Sequence, residues 1–133
     1  MALKFRGLAI LTSLLFCLIG LIWLLVPGLP MADWGLTLTP STALLGRRSA
    51  ALYLGLAAIF FWARNADPSP ARTALARGIA LMCLMLAVLG VYDYATGHVT
   101  LHILVAVVLE MSIGSAFLYV ERKRPLHAST NSK

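Results

Sequence analysis

Leu101–Val120 reads LHILVAVVLEMSIGSAFLYV, an apolar stretch with a single carboxylate, Glu110, at its centre. At about 1.5 Å per helical residue such a stretch spans roughly 30 Å, the thickness of a bilayer's hydrocarbon core. An ionisable group at that depth costs about 3 kcal/mol on insertion scales, so it is expected to face protein or a cavity rather than acyl chains. The reading of this stretch sets the fold class: all-α, a polytopic membrane protein.

Three further stretches have the same character. Leu8–Val26 ends at Pro27-Gly28-Leu29-Pro30, and Leu44–Ala63 ends before Asp67-Pro68-Ser69-Pro70. Ala74–Ala95 ends at Thr96-Gly97, and Leu101–Val120 runs into Glu121-Arg122-Lys123-Arg124-Pro125. Proline and glycine in every gap mark where the backbone leaves the helix. The expected layout is one four-helix transmembrane domain over residues 1–125, followed by a disordered cytoplasmic tail, 126–133. Only 12% of the residues are charged, against roughly 25% in soluble domains, and a soluble fold this small has no core large enough to bury the apolar remainder. Lys4 and Arg6 precede the first stretch as they would in a signal peptide, but the apolar run is longer than such h-regions and no small-x-small site follows. It is read as a retained helix.

The net charge of +6 does not form a basic stripe with interleaved aromatics, which argues against a nucleic-acid partner. The cations collect at helix ends. Lys4, Arg6, Arg64, Arg72, Arg77, Arg122, Lys123, Arg124 and Lys133 fall on one side, Arg47 and Arg48 on the other. The positive-inside rule then puts both termini in the cytoplasm. Trp23, Trp34, Tyr92 and Tyr94 mark the outer interface, and Trp62 and Tyr119 the inner one. Residues Met31 to Leu36 suit a short interfacial turn.

The polar residues within the spans are the candidate site. Arg48 is followed along its helix by Ala51, Gly55 and Ala58, a small-residue stripe that admits a close neighbour, and Glu110 lies between Ala106 and Gly114. Arg48 and Glu110 differ in depth by about 7 Å, within the combined reach of the two side chains. They are expected to form a buried ion pair. Such a pair can be structural, fixing which helices pack and in what register, or part of a ligand or proton site. Tyr53 lies on the Arg48 helix and joins them as a polar contact, and Asp93 is close in depth to Arg47 and Arg48. Arg77 is explained by snorkelling.

Metal and redox chemistry find little. His98 and His102 share a helix face only if the helix has already begun there, a spacing that holds zinc, copper or haem, with Asp93 as a third ligand. The expectation is no metal. Cys17 and Cys83 form no Cys-x-x-Cys pair, so thiol–disulfide chemistry has no motif. There is no phosphate loop, no His-Glu-x-x-His and no Ser/His/Asp set, hence no catalytic residue.

The run Gly46-Arg47-Arg48-Ser49-Ala50-Ala51-Leu52-Tyr53-Leu54-Gly55-Leu56 resembles the second helix of small bacterial four-helix membrane proteins of the DoxX-like and related unknown-function families. Those carry an arginine, then small residues and a Leu-Gly-Leu step. They also tend to have a glutamate in the last helix, here Val108-Leu109-Glu110. The resemblance covers the layout from about residue 5 to 122. It implies a multi-pass protein of the bacterial cytoplasmic membrane. Some members look like accessory subunits of membrane oxidoreductases, quinone-linked ones among them, although paired cysteines are missing here.

Three functions are thus expected, in this order. The first is a non-enzymatic accessory or interaction subunit that packs on a membrane-protein partner or on itself. The second is a lipid- or quinone-binding subunit with Arg48, Glu110 and Tyr53 in an outer-half pocket. The third is a small proton-coupled transporter, against which the position of the glutamate and the strong charge bias both count. No cofactor is expected, quinone or haem being the exceptions that the second reading and the histidines leave open.

Overall fold

The computed structural model describes residues 4–122 and is all-helical. Its elements are α1 (Phe5–Leu25), α2 (Gly28–Asp33), α3 (Pro40–Ala63), α4 (Pro70–Ala95) and α5 (Ile103–Arg122). Four of the five, all but α2, are long and apolar enough to cross a membrane. The expected tail, 126–133, lies outside the described residues.

Local chemistry sets the helix limits. Thr39 and Thr42 form a reciprocal capping box ahead of α3, and Pro40 occupies a first-turn position where its missing N–H costs nothing. Ser69 caps α4 by accepting from the Arg72 N–H at 3.2 Å, again with a proline just inside. These caps extend α3 and α4 by about a turn beyond their apolar stretches. Two helices end in the same way. After α2, the Leu36 N–H reaches Met31 O and the Gly35 N–H reaches Ala32 O; after α4, His98 N–H reaches Asp93 O and Gly97 N–H reaches Tyr94 O. This six-to-one plus five-to-two pattern needs a left-handed residue, and Gly35 (φ 76°) and Gly97 (φ 75°) supply it.

The helices run alternately up and down, so Phe5, Ala63, Pro70 and Arg122 lie at one end (the terminal end). Leu25, α2, Pro40, Ala95 and Ile103 lie at the other (the loop end). They associate as two pairs, α1 along α3 and α4 along α5. Within α1·α3 the backbones approach closely. A Cβ on Gly20 would stand 2.8 Å from Leu54 Cγ and 3.2 Å from the Ala50 carbonyl, and Ser13 donates to the Ala57 carbonyl at 2.8 Å. Within α4·α5, Gly114 lies against Ala80 and Cys83, and Gly90 against Val107.

The pairs meet at the terminal half. There Phe5, Leu8, Phe60, Ala76, Ile79, Phe117 and Val120 form one buried cluster. Its rings form a chain: Phe5 to Phe117 (6.0 Å), Phe60 to Phe16 (6.4 Å) and Phe16 to Tyr53 (5.7 Å) meet edge to face, and Phe117 meets Phe60 (5.1 Å) at a tilt of 43°. Below the cluster, Arg72 Nε donates to Glu121 Oε1 at 3.2 Å, Thr73 donates to the other carboxylate oxygen at 2.9 Å, and the Arg72 guanidinium stacks 3.9 Å over the Phe5 ring. The two side chains of this ion pair are 13% and 9% exposed. At the loop end, Thr100 N–H donates to Trp34 O and its hydroxyl to Asp33 O, joining α2 to the α4–α5 loop. Leucines turn outwards, Leu11, Leu14, Leu52 and Leu81 among them, an arrangement that fits helices apolar enough to cross a membrane.

The small-residue stripe of α3 corrects the sequence reading. Gly46, Ala50 and Ala57 are the buried ones, while Ala51 and Gly55 point outwards and a Cβ on Gly55 would meet nothing within 4 Å. Gly20→Ala is therefore expected to cost about 1–3 kcal/mol by overpacking. Gly55→Ala should leave thermal unfolding in detergent unchanged or slightly improved. Equal losses at the two positions would refute the α1·α3 packing described here.

Candidate functional site

Because the pairs touch at the terminal half, they part at the other, and a cavity of about 430 Å³ opens between them. Its walls are apolar side chains of α1, α4 and α5, with Phe16 and Cys83 at the deep end. Trp23 and Trp34 flank it near the loop end, their rings 5.5 Å apart. Four polar residues line it: Tyr53 and Glu110 from within the spans, Asp33 and His102 from the loop end. The volume lies in the range of pockets that hold small organic ligands.

Glu110 occupies the third turn of α5, about 10 Å from the helix start. Gly114, one turn on, lets α5 lie close to Ala80 and Cys83 of α4, and Glu110 lies beside that seam. It borders the cavity on one side and, on the other, a shallower outward groove shared with Arg77, Ser115 and Gly114. Among the described residues it makes neither a hydrogen bond nor an ion pair. Tyr53, held edge-on by Phe16, likewise makes no hydrogen bond among them.

The ion pair expected between Arg48 and Glu110 is not formed. Arg48 is exposed on α3, on the same outward face as Ala51 and Gly55, and it does not line the cavity. The positions along the helices are compatible, but Arg48 lies on the exposed face of α3, whereas the residue of that helix that shares the cavity with Glu110 is Tyr53. Asp93 also departs from expectation. Its nearest ionic partner is the imidazole of His98, at 3.8 Å, rather than Arg47 or Arg48, and it stands apart from the cavity. The ion pair that does close the bundle, Arg72–Glu121, was not anticipated. Its sequence signal is modest: opposite charges at the same end of two consecutive antiparallel spans.

The histidines are separated by the true start of α5. The helix begins at Ile103, so His98 and His102 lie in the preceding loop and do not share a helical face. His98 Nδ1 is 2.8 Å from the Thr96 hydroxyl, and His102 Nδ1 is 3.2 Å from Asp33 O. No group of three His, Cys, Asp or Glu side chains converges among the described residues. Asp33 and Trp34, which enclose the cavity's loop end, do not stand out as site residues in the sequence because they form the last residue and the C-cap of α2, a segment that reads there only as a turn.

Comparison with family models, with curated proteins and with solved structures gives no match to this chain.

What this arrangement can do follows from its groups. A carboxylate accepts hydrogen bonds and a phenol donates or accepts one. An apolar ligand carrying a small polar head with both a donor and an acceptor satisfies both. The separation of Arg48 from Glu110 is open to a double-mutant cycle: Arg48→Leu and Glu110→Leu should show a coupling energy below about 0.5 kcal/mol in detergent unfolding, as residues without shared partners do. Arg72→Leu with Glu121→Leu should instead be strongly coupled, since either single change strands a buried charge at a cost of about 3–5 kcal/mol. A large Arg48–Glu110 coupling would reinstate the pair.

Proposed function

We propose that this chain is a small, non-enzymatic, multi-pass protein of the bacterial cytoplasmic membrane that binds a neutral amphiphile, of the quinol or uncharged-lipid kind, in the cavity at Glu110 and Tyr53. The observation that carries the reading is a carboxylate within a span, unpaired among the described residues, on the wall of a cavity large enough for a ligand. A negatively charged head would be repelled by Glu110, whereas a quinol hydroxyl donates to it and a quinone carbonyl accepts from Tyr53. This favours the binding reading over a purely structural scaffold, whose supporting feature was the Arg48–Glu110 pair. The resemblance to DoxX-like proteins adds the accessory role: a subunit that presents a quinol or lipid to a membrane-protein partner. Both termini are assigned to the cytoplasm on the distribution of Lys and Arg.

Trp23 and Trp34 make the binding test direct, since both flank the cavity while Trp62 is 76% exposed on its helix and away from it. A soluble quinone analogue should quench the first two selectively. Glu110→Leu should weaken binding of the reduced analogue about 10- to 100-fold, the worth of a hydrogen bond to a charged group, and Tyr53→Phe about 3- to 10-fold. Unaltered affinity in both variants would remove the site.

Orientation has its own check. Reporter fusions after Arg122 and within residues 64–69 should both report the cytoplasm, and one at Asp33 the opposite side. Any other pattern rules out the assigned topology.

A further inference from the structure

The terminal end carries a second recess, about 480 Å³ in volume, between the starts of α1 and α4 and the end of α3. Lys4, Arg6, Arg64 and Arg72 line it, with Asp67 as the only acidic side chain on its wall among the described residues. Two of the cations are held in place. Arg72 is fixed by Glu121, by the Ala66 carbonyl at 3.1 Å and by the Phe5 ring; Arg64 donates to the Phe61 carbonyl and lies 3.9 Å over the Phe61 ring. Lys4 and Arg6 make no ion pair among the described residues. Since Glu121 offsets Arg72, the recess retains an excess of positive charge.

We propose that this recess binds a phosphate-bearing anion. Guanidinium groups present N–H donors that match phosphate oxygens: Arg6 has its paired donors uncommitted among the described residues, while Arg64 and Arg72, with some donors already engaged, hold positive charge and their remaining N–H groups in fixed positions. Lys4 adds a point charge on a flexible stem, free to close on the ligand. The volume exceeds what a bare phosphate needs and suits a glycerol phosphate head. Position points the same way. The recess lies where the apolar surfaces of α1, α3 and α4 end, one turn beyond the exposed Trp62, the level at which lipid headgroups meet a spanning helix. The shared chemistry is a phosphate mono- or diester; a lipid headgroup and a free phosphate are its two sources.

The test uses the full chain in neutral detergent and native mass spectrometry. Phosphatidylglycerol is titrated against phosphatidylcholine, with inorganic phosphate and glycerol 3-phosphate as soluble arms. The expected result is retention of phosphatidylglycerol over phosphatidylcholine. Lys4→Gln with Arg6→Gln should weaken it about 30-fold, from roughly fivefold per cation near a membrane surface, and Lys4→Arg with Arg6→Lys should preserve it. Arg64→Gln provides a second variant with the same expected direction, should the glutamine pair unfold. Soluble phosphates that bind as tightly as the lipid, and lose affinity in the same variants, support the anion site with free phosphate as its source. Equal retention of the two lipids with no binding of soluble phosphate overturns the proposal, and so does a folded glutamine variant with unchanged affinity.

Discussion

The contact of Phe60 with Phe117 is the constraint on which the rest of the structure depends. It is the aromatic meeting point of α3 and α5, which otherwise belong to separate helix pairs. With large rings filling the terminal half, the pairs are held together there by dispersion and aromatic contact, a kind of packing that does not depend on the exclusion of water. Small residues serve inside each pair and large ones between the pairs. Glycine and alanine bring α1 to α3 and α4 to α5 along their lengths, whereas the pairs are kept a phenyl ring apart. That spacing is what leaves a cavity where the rings stop.

Both polar features follow from that division. At the terminal end, the ion pair of Arg72 with Glu121 is doubly supported, by Thr73 and by the face of Phe5, so that a charge-bearing contact closes the bundle. Deeper in, Glu110 lies at the α4·α5 seam with no such company. A carboxylate supported on every side is a building element. One that borders an open cavity is available to a visitor. The difference is one of surroundings and not of residue type, which is why neither role is written in the glutamate itself.

Depth was legible in the sequence and azimuth was not. The four apolar stretches, the punctuation at Pro27, Pro68 and Gly97, and the placement of Glu110 within its span all follow from length and hydropathy, which act along the helix axis. Which way a residue points around that axis is set by packing, and helices apolar on every side carry almost no periodic signal of it. The small-residue stripe thus points Arg48 and Gly55 inwards, yet both stand outwards in the structure, while Ala50 and Ala57, one or two positions away, make the contact. Helix starts were displaced for another reason. The caps at Thr39 and Ser69 and the loop around Thr100 obey hydrogen-bond chemistry that a count of apolar residues does not register, and His98 and His102 could share a face only in a helix already running at His98, whereas α5 begins at Ile103. Tyr53 and Glu110 were recognised as polar outliers; Asp33 and Trp34 became part of the site only through the docking of α2 onto the α4–α5 loop.

That docking has a bearing on how the protein is made. The α4·α5 contacts join segments adjacent in the chain, and those of α1·α3 bridge a short excursion, so each hairpin can form as soon as its second helix is made. The bond from Thr100 to Trp34, like the stacking of Phe60 on Phe117, joins residues from opposite halves of the chain and must wait for the longer loop to close. The cavity belongs to neither hairpin. It appears only when two finished halves are fitted together, so the site is the last part of the molecule to come into being.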